Sequence, residues 1–139
     1  MFINSNFGRI QNLLERGMDA QMLRWQVISN NIANANVPGF KRSDVTFEAQ
    51  LQRAIKSQGK SSPFQAKLTN KNHIPFQQPI PVSSVTPKVK LDYATSMRND
   101  GNGVDMEYET VQAVKTQMRY QLMSSMMSRN FKKISMLFR

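Results

Sequence analysis

The sequence predicts a mainly α fold: two long terminal helices packing as a coiled-coil-like hairpin or bundle, joined by an irregular middle with room for a β-hairpin. Three observations lead there. Apolar residues recur at steps of three and four from Phe7 to Ala35. A second periodic stretch runs from Val111 to Phe138 with no Gly or Pro inside it. Between them Pro63, Pro75, Pro79, Pro81 and Pro87 interrupt the chain, and the periodicity lapses.

The first helix is read over Phe7–Asn34. Its stripe is Phe7, Ile10, Leu14, Met18, Met22, Trp25, Ile28, Ile32 and Ala35, with a mean step nearer the coiled-coil spacing than that of a straight helix. Leu13, Leu23 and Val27 widen it, while Arg9, Glu15, Arg16, Asp19 and Arg24 lie mostly off it. At the α-helical rise the segment extends ~42 Å. An amphipathic core helix of a small bundle and an assembly surface both fit such a stripe.

The helix is expected to close at Ile28–Arg42. Asn30, Asn31, Asn34 and Asn36 crowd its last turns; Asn is a mediocre helix former that tolerates the left-handed closing conformation. Pro38 cannot continue a helix, and Gly39 permits the turn. Lys41 and Arg42 then fall beyond the negative end of the helix dipole. Four Asn in seven residues is more amide than a helix stop needs, which points to bonds with a neighbouring helix or chain.

The middle, 43–98, carries loops over Ser57–Phe64 and Asn70–Ile80. A short helix fits Asp44–Ser57, with Val45, Phe47 and Leu51 inward. Weak strand character marks Pro81–Thr86 and Lys88–Tyr93, enough for a hairpin. The third segment, 99–139, opens on the turn pairs Asp100-Gly101 and Asn102-Gly103. Asp105 is the expected N-cap, and Glu107 and Glu109 suit the positive first turn. Val111, Val114, Met118, Leu122 and Met126 form one stripe; Tyr120, Met123, Met127, Phe131, Ile134 and Phe138 form an adjoining one. Two such helices alone leave apolar surface uncovered, and the simplest cover is a neighbour of the same kind.

The 139 residues carry a net charge of +10, spread along the chain rather than gathered in a tail. That balance favours anionic partners. Ten Met residues supply flexible apolar surface. With no Cys and a single His73, the sequence offers no Cys/His pair, two-His metal site or Ser-His-Asp set. D-G-N-G-V-D lacks the closing Glu of an EF-hand. The expectation is therefore no enzyme, no cofactor and no metal. No run is long and apolar enough to span a bilayer, and no cleavable secretory signal is visible at the start. A basic helical nucleic-acid-binding protein is the alternative from another class, with Arg129, Lys132, Lys133 and Arg139 as its footprint. The Met and aromatic residues between those charges argue against it.

N-N-I-A-N-A-N-V-P-G-F-K, residues 30–41, resembles the N-terminal signature of the bacterial flagellar axial proteins, which form rod, hook and hook–filament junction. Asn30, Asn31, Ile32, Ala33, Asn34, Asn36, Pro38, Gly39, Phe40 and Lys41 match; Val37 stands where a Thr usually precedes the Pro. R-S-D-V-T-F-E (42–48), L-T-N-K-N-H-I (68–74) and D-G-N-G-V-D-M-E (100–107) resemble, in order, runs of the short proximal rod subunits of the B type. The C-type proximal subunit is the nearest relative to confuse with them; His73 and the short middle argue for B. The resemblance implies a helical assembly: terminal helices of successive subunits packed into the inner drive shaft of the basal body, which transmits torque and encloses the export channel. It implies contacts with copies of itself and other rod subunits, a rod-base adaptor, the inner-membrane (MS) ring and the type III export apparatus. It implies export to the periplasmic rod without a cleaved signal peptide. No nucleic acid partner and no membrane span are expected. The assembly contacts implied are the seam positions Ile10, Leu14, Met18, Trp25, Ile28, Ile32, Val111, Val114, Met118, Leu122, Met126, Phe131 and Ile134. The turn residues Asn30, Asn31, Asn34, Asn36, Pro38 and Gly39 join them.

Overall fold

A computed structural model describes residues 6–58, 67–73, 80–93, 96 and 101–137. The described parts are mainly helical, with one small antiparallel sheet. Two compact units divide the chain, one formed by 1–46 with 87–139 and the other by 47–86.

The first unit is a two-helix hairpin closed at one end by the sheet. Helix α1 spans Asn6–Ala33 and helix α3 spans Met106–Leu137. They pack antiparallel, with Asn31 of α1 meeting Glu109 of α3 and Gly17 lying under Met123. A Cβ built on Gly17 would come 2.8 Å from the Met123 sulfur. A glycine at mid-helix, normally destabilising by roughly 0.5–1 kcal/mol, thus permits close approach of the two helices. Strand β1 (Ser43–Thr46) pairs antiparallel with β2 (Lys88–Leu91), Ser43 opposite Leu91 and Val45 opposite Val89. Val45 is buried, whereas every residue of β2 is exposed. Among the described residues of this unit the buried apolar ones are Ala20, Ile28, Ala35, Val45 and Val104.

α3 begins as expected. Asp105 Oδ1 accepts the amide N–H groups of Glu107 (3.0 Å) and Tyr108 (3.4 Å), satisfying donors that no helical carbonyl can reach. α1 ends through shortened turns: Ala35 N–H donates to Ile32 O and Val37 N–H to Asn34 O. Gly39, at φ +71°, then reverses the chain in the left-handed region, where other L-residues pay a steric penalty.

The second unit holds α2, Glu48–Gln58, and a 3₁₀ turn over Val82–Ser84 that packs against it. Phe47, Ala54 and Val85 are buried here. Ser57 Oγ donates to Ala54 O (2.7 Å) and accepts the Ile80 N–H (3.0 Å). The short helix forms, but Val45 and Phe47 lie ahead of it in strand and linker. The strand expected over Pro81–Thr86 does not form. Prolines at 81 and 87 fix φ and remove donors at both ends, and Ser84 Oγ instead folds back on Pro81 O (2.8 Å). β2 therefore pairs with β1, on the far side of the middle segment. The expected loops at 59–64 and 74–79, the turn start at 97–100 and Phe138 lie outside the described residues.

Candidate functional site

Three of the motif-bearing runs meet at the closed end of the hairpin. The α1 turn, the strand that follows it and the loop before α3 interlock there through side-chain-to-backbone bonds.

Asn31 is wholly buried and works as a double clamp. Its Nδ2 donates to Ser43 O (2.8 Å) and to Glu109 Oε2 (3.2 Å), and its Oδ1 accepts the Ser43 N–H (3.1 Å). One amide thus mimics a strand partner for Ser43 and binds α3. Glu109, also wholly buried, receives Arg42 Nε at 2.5 Å. Arg42 lies 3.9 Å from Asp44 and stacks its guanidinium over the Tyr108 ring, 5.1 Å from the centroid. Burial disfavours the arginine charge, but the Glu109 hydrogen bond and carboxylate outweigh it and raise the Arg42 pKa above its ordinary value. The sign follows: the arginine's contribution to stability is complete below its ordinary pKa and fades only as pH rises through the folded value, so Arg42 stays charged through neutrality.

The second clamp is Asn102, buried in the loop before α3. Its Nδ2 donates to Ala35 O (2.7 Å) and Val37 O (3.0 Å), carbonyls of the turn that follows α1. Its Oδ1 accepts the Val104 N–H (2.8 Å), and Gly103 N–H donates to Phe40 O (3.0 Å). Asp92 N–H donates to Arg42 O (2.8 Å), fastening the exit of β2 to the same corner.

Three residues do more than their sequence-derived roles. Arg42 lies beyond the end of α1 as expected, and its guanidinium reaches across to Glu109. Glu109 lies in the first turn of α3 as expected, but its side chain is wholly buried, unlike that of the exposed Glu107. Asn102 is more than a turn residue. The signal for Glu109 was its spacing to Ala113 and Thr116, which places it on the face toward α1. Asn34 bonds locally, its Nδ2 donating to Asn30 O and Oδ1 (2.8 and 2.7 Å), while Asn36, Pro38 and Gly39 are exposed on the turn.

The structure sorts the other expected contact positions into two groups. Ile28 is enclosed within the hairpin at 4% exposure; Leu14, Met18, Ile32 and Ile134 are half-buried. Ile10, Trp25, Val111, Val114, Met118, Leu122, Met126 and Phe131 are exposed. On α3 the face toward α1 holds Glu109, Ala113 and Thr116. Val111, Val114, Met118 and Leu122 lie about 180° round the helix from it. Gln21, Met22 and Trp25 of α1 with Thr116, Gln117 and Tyr120 of α3 line a shallow apolar groove of about 330 Å³. His73 is exposed in a turn whose backbone N–H donates to Asn70 O (3.1 Å). Among the described residues no His, Cys, Asp or Glu cluster converges on a metal position, and no helix is long and apolar enough to cross a membrane.

The polar chemistry of this site is structural: it locks a turn, while long helices carry apolar residues outward. That arrangement is that of a structural protein whose long helices carry exposed apolar residues. Comparison with known proteins identifies the family. The family model for flagella basal body rod proteins matches residues 12–41. The chain is 37% identical to the flagellar basal body rod protein FlgB of Borrelia hermsii over 128 residues, 92% of this chain and 94% of that one. It is 35% identical to FlgB of Borreliella burgdorferi over 135 residues, 97% and 99% of the two chains. It is 29% identical to FlgB of Bacillus subtilis over 124 residues, 89% and 88%. The chain belongs to the FlgB family of flagellar basal body rod proteins and is a structural subunit of the flagellar basal body, assembling with other rod components.

Proposed function

We propose that the chain builds the proximal part of the rod, polymerising through α1 and α3 into the drive shaft that transmits torque and encloses the export channel. The carrying observation is the outward apolar surface of both long helices, from Met22 and Trp25 on α1 to Val111, Val114, Met118 and Leu122 on α3. Apolar side chains standing in water at this density mark contact surfaces. In this reading the expected seam positions divide their work. Ile28 and Asn31 hold the subunit together, and the exposed positions meet neighbours. The locked turn gives every subunit the same angle between helices, which a repeating lattice requires. Neighbours at the rod base are an adaptor protein and the inner-membrane ring, and the chain reaches the periplasm through the flagellar export apparatus with no cleaved signal. The role is mechanical, with no catalytic step.

The test is a labelled subunit in purified basal bodies. Label at the base of the rod, and loss of everything distal to it when the gene is deleted, is the expected result. Label at the hook or in the cytoplasm overturns the reading.

A further inference from the structure

We propose that the open edge of β2 receives an extended segment of a different protein, one that alternates acidic with apolar residues and adds a third strand to the sheet. The surface uses none of the seam positions of the two long helices and does not depend on the rod reading.

The ladder decides which backbone groups are free. Asp92 N–H donates to Arg42 O, and the pairs Asp44–Lys90 and Thr46–Lys88 follow at the two-residue period of antiparallel strands. The amides and carbonyls of Lys88 and Lys90 therefore face β1, and those of Val89 and Leu91 point to the opposite edge. By the same alternation Ser43 and Val45 turn theirs away from β2, and there every group is met. Asn31 serves Ser43 N–H (3.1 Å) and O (2.8 Å), Asp44 Oδ1 accepts the Val45 N–H (2.7 Å), and Arg24 Nη2 donates to Val45 O (3.2 Å). The outer edge of β1 is thus closed by side chains. On the outer edge of β2 no described residue bonds the Val89 or Leu91 backbone.

The side chains repeat this asymmetry. Val45 is buried, whereas Val89 opposite it is 51% exposed, Leu91 45%, and Tyr93, two residues on, 75%. Lys88 and Lys90 stand exposed on the other face, neither in a salt bridge. Lysine and proline guard edges against unwanted pairing, and Pro87 precedes this one. Two β2 edges joined with their apolar faces aligned would set lysines against lysines, so a second copy is refused. An added strand with carboxylates at alternate positions meets Lys88 and Lys90, and its apolar residues extend the Val89 and Leu91 face; backbone bonds supply the attachment. The runs of this chain with alternating acidic residues, 44–48 and 105–109, are already engaged, the first in β1 and the second at the start of α3. The occupant therefore comes from another protein.

The experiment is a titration of the dilute, isotope-labelled full chain with a short peptide alternating glutamate and valine, and with the same peptide carrying lysine for glutamate. Amide exchange at Val89 and Leu91 should slow with the acidic peptide and not with the lysine one, while Ser43 exchange stays as it was. Lys88→Glu with Lys90→Glu should weaken the acidic peptide at least roughly fivefold and admit the lysine peptide. Val89→Pro removes an outward N–H and keeps the ladder bonds of Lys88 and Lys90, so it should abolish binding with Ser43 protection retained. If that variant loses Ser43 protection, the lysine reversal decides. An acidic peptide that leaves Val89 and Leu91 exchange unchanged, or that protects helix amides instead, overturns the proposal, as does unchanged binding by the lysine reversal. None of these outcomes bears on the rod reading, which is tested by where the labelled subunit sits in basal bodies.

Discussion

Glu109→Gln removes one charge from the best-enclosed ion pair among the described residues. Glu109 has no exposed side-chain surface and Arg42 retains 17%. Breaking a buried pair by neutralising one partner costs ~3–5 kcal/mol, because the other charge is left without its counter-ion. Arg42 keeps Asp44 at 3.9 Å, the Tyr108 face and some water, which puts the expected cost at the lower end, ~3 kcal/mol. With ~1.4 kcal/mol per tenfold, local opening should become roughly 100-fold more frequent. Amide exchange followed by NMR reads this directly. The Ser43 N–H, held by Asn31 Oδ1 at 3.1 Å, and the Gly103 N–H, held by Phe40 O at 3.0 Å, should both lose protection. The double variant Arg42→Met with Glu109→Leu removes both charges and should recover most of the loss, since apolar replacement of a buried pair is often neutral. Unchanged Ser43 exchange in Glu109→Gln, or a double variant as damaged as the two singles combined, would refute the assignment of this pair as the lock.

Gly39→Ala should lower thermal stability by ~1–2 kcal/mol through backbone strain alone, because φ is +71° and a Cβ there meets nothing within 4 Å; Gly39→Asn should be milder. Ile28→Asp and Met118→Asp separate inside from outside. The first, at 4% exposure, should abolish the helical circular dichroism of the isolated chain, and the second, at 64%, should leave it intact while removing the subunit from basal bodies. Limited tryptic digestion of the assembled form should cut first at the exposed Lys67 or Lys71, and later at Arg16, Arg24 and Arg119 within the helices. Amide protection in the dilute monomer should fall from the locked end of the hairpin toward its open end, where Ile10, Phe131, Met136 and Leu137 stand exposed.

Both long helices were legible in the sequence to within a residue or two. Phe7–Asn34 became Asn6–Ala33, and the helix capped by Asp105 runs from Met106. A periodic signal repeated over eight turns averages out local exceptions such as Gly17, and cap chemistry sharpens its ends. The sheet was half legible. The strand at Lys88–Leu91 shows in its own residues, but its partner does not. Four-residue strands carry too little alternation to select a partner far away in the chain. The lock was legible as an excess of Asn and not as a network. Glu107 and Glu109 look alike in sequence and sit two positions apart, about 200° round a helix. Only the phase of α3 against α1 decides which one is enclosed.

That phase also explains why a wide apolar stripe did not reveal its own inside and outside. Toward the locked end, the face of α3 turned to α1 is Glu109, Ala113 and Thr116, small or polar residues that allow close approach. The larger apolar residues Val111, Val114, Met118 and Leu122 point the other way. In an isolated globular hairpin the order would be reversed, with the bulky residues inside and the polar ones in water. The inversion is stable only where something else covers the outer face. In the proposed rod reading, the interior of such a subunit is closed by a few apolar residues, hydrogen bonds and the Arg42–Glu109 pair, which fix its geometry, and its hydrophobic burial is completed by neighbours. Specific geometry within the subunit and non-directional burial between subunits are therefore assigned to different faces of the same helix, and Met118, rather than Ile28, is the residue on which association should chiefly depend.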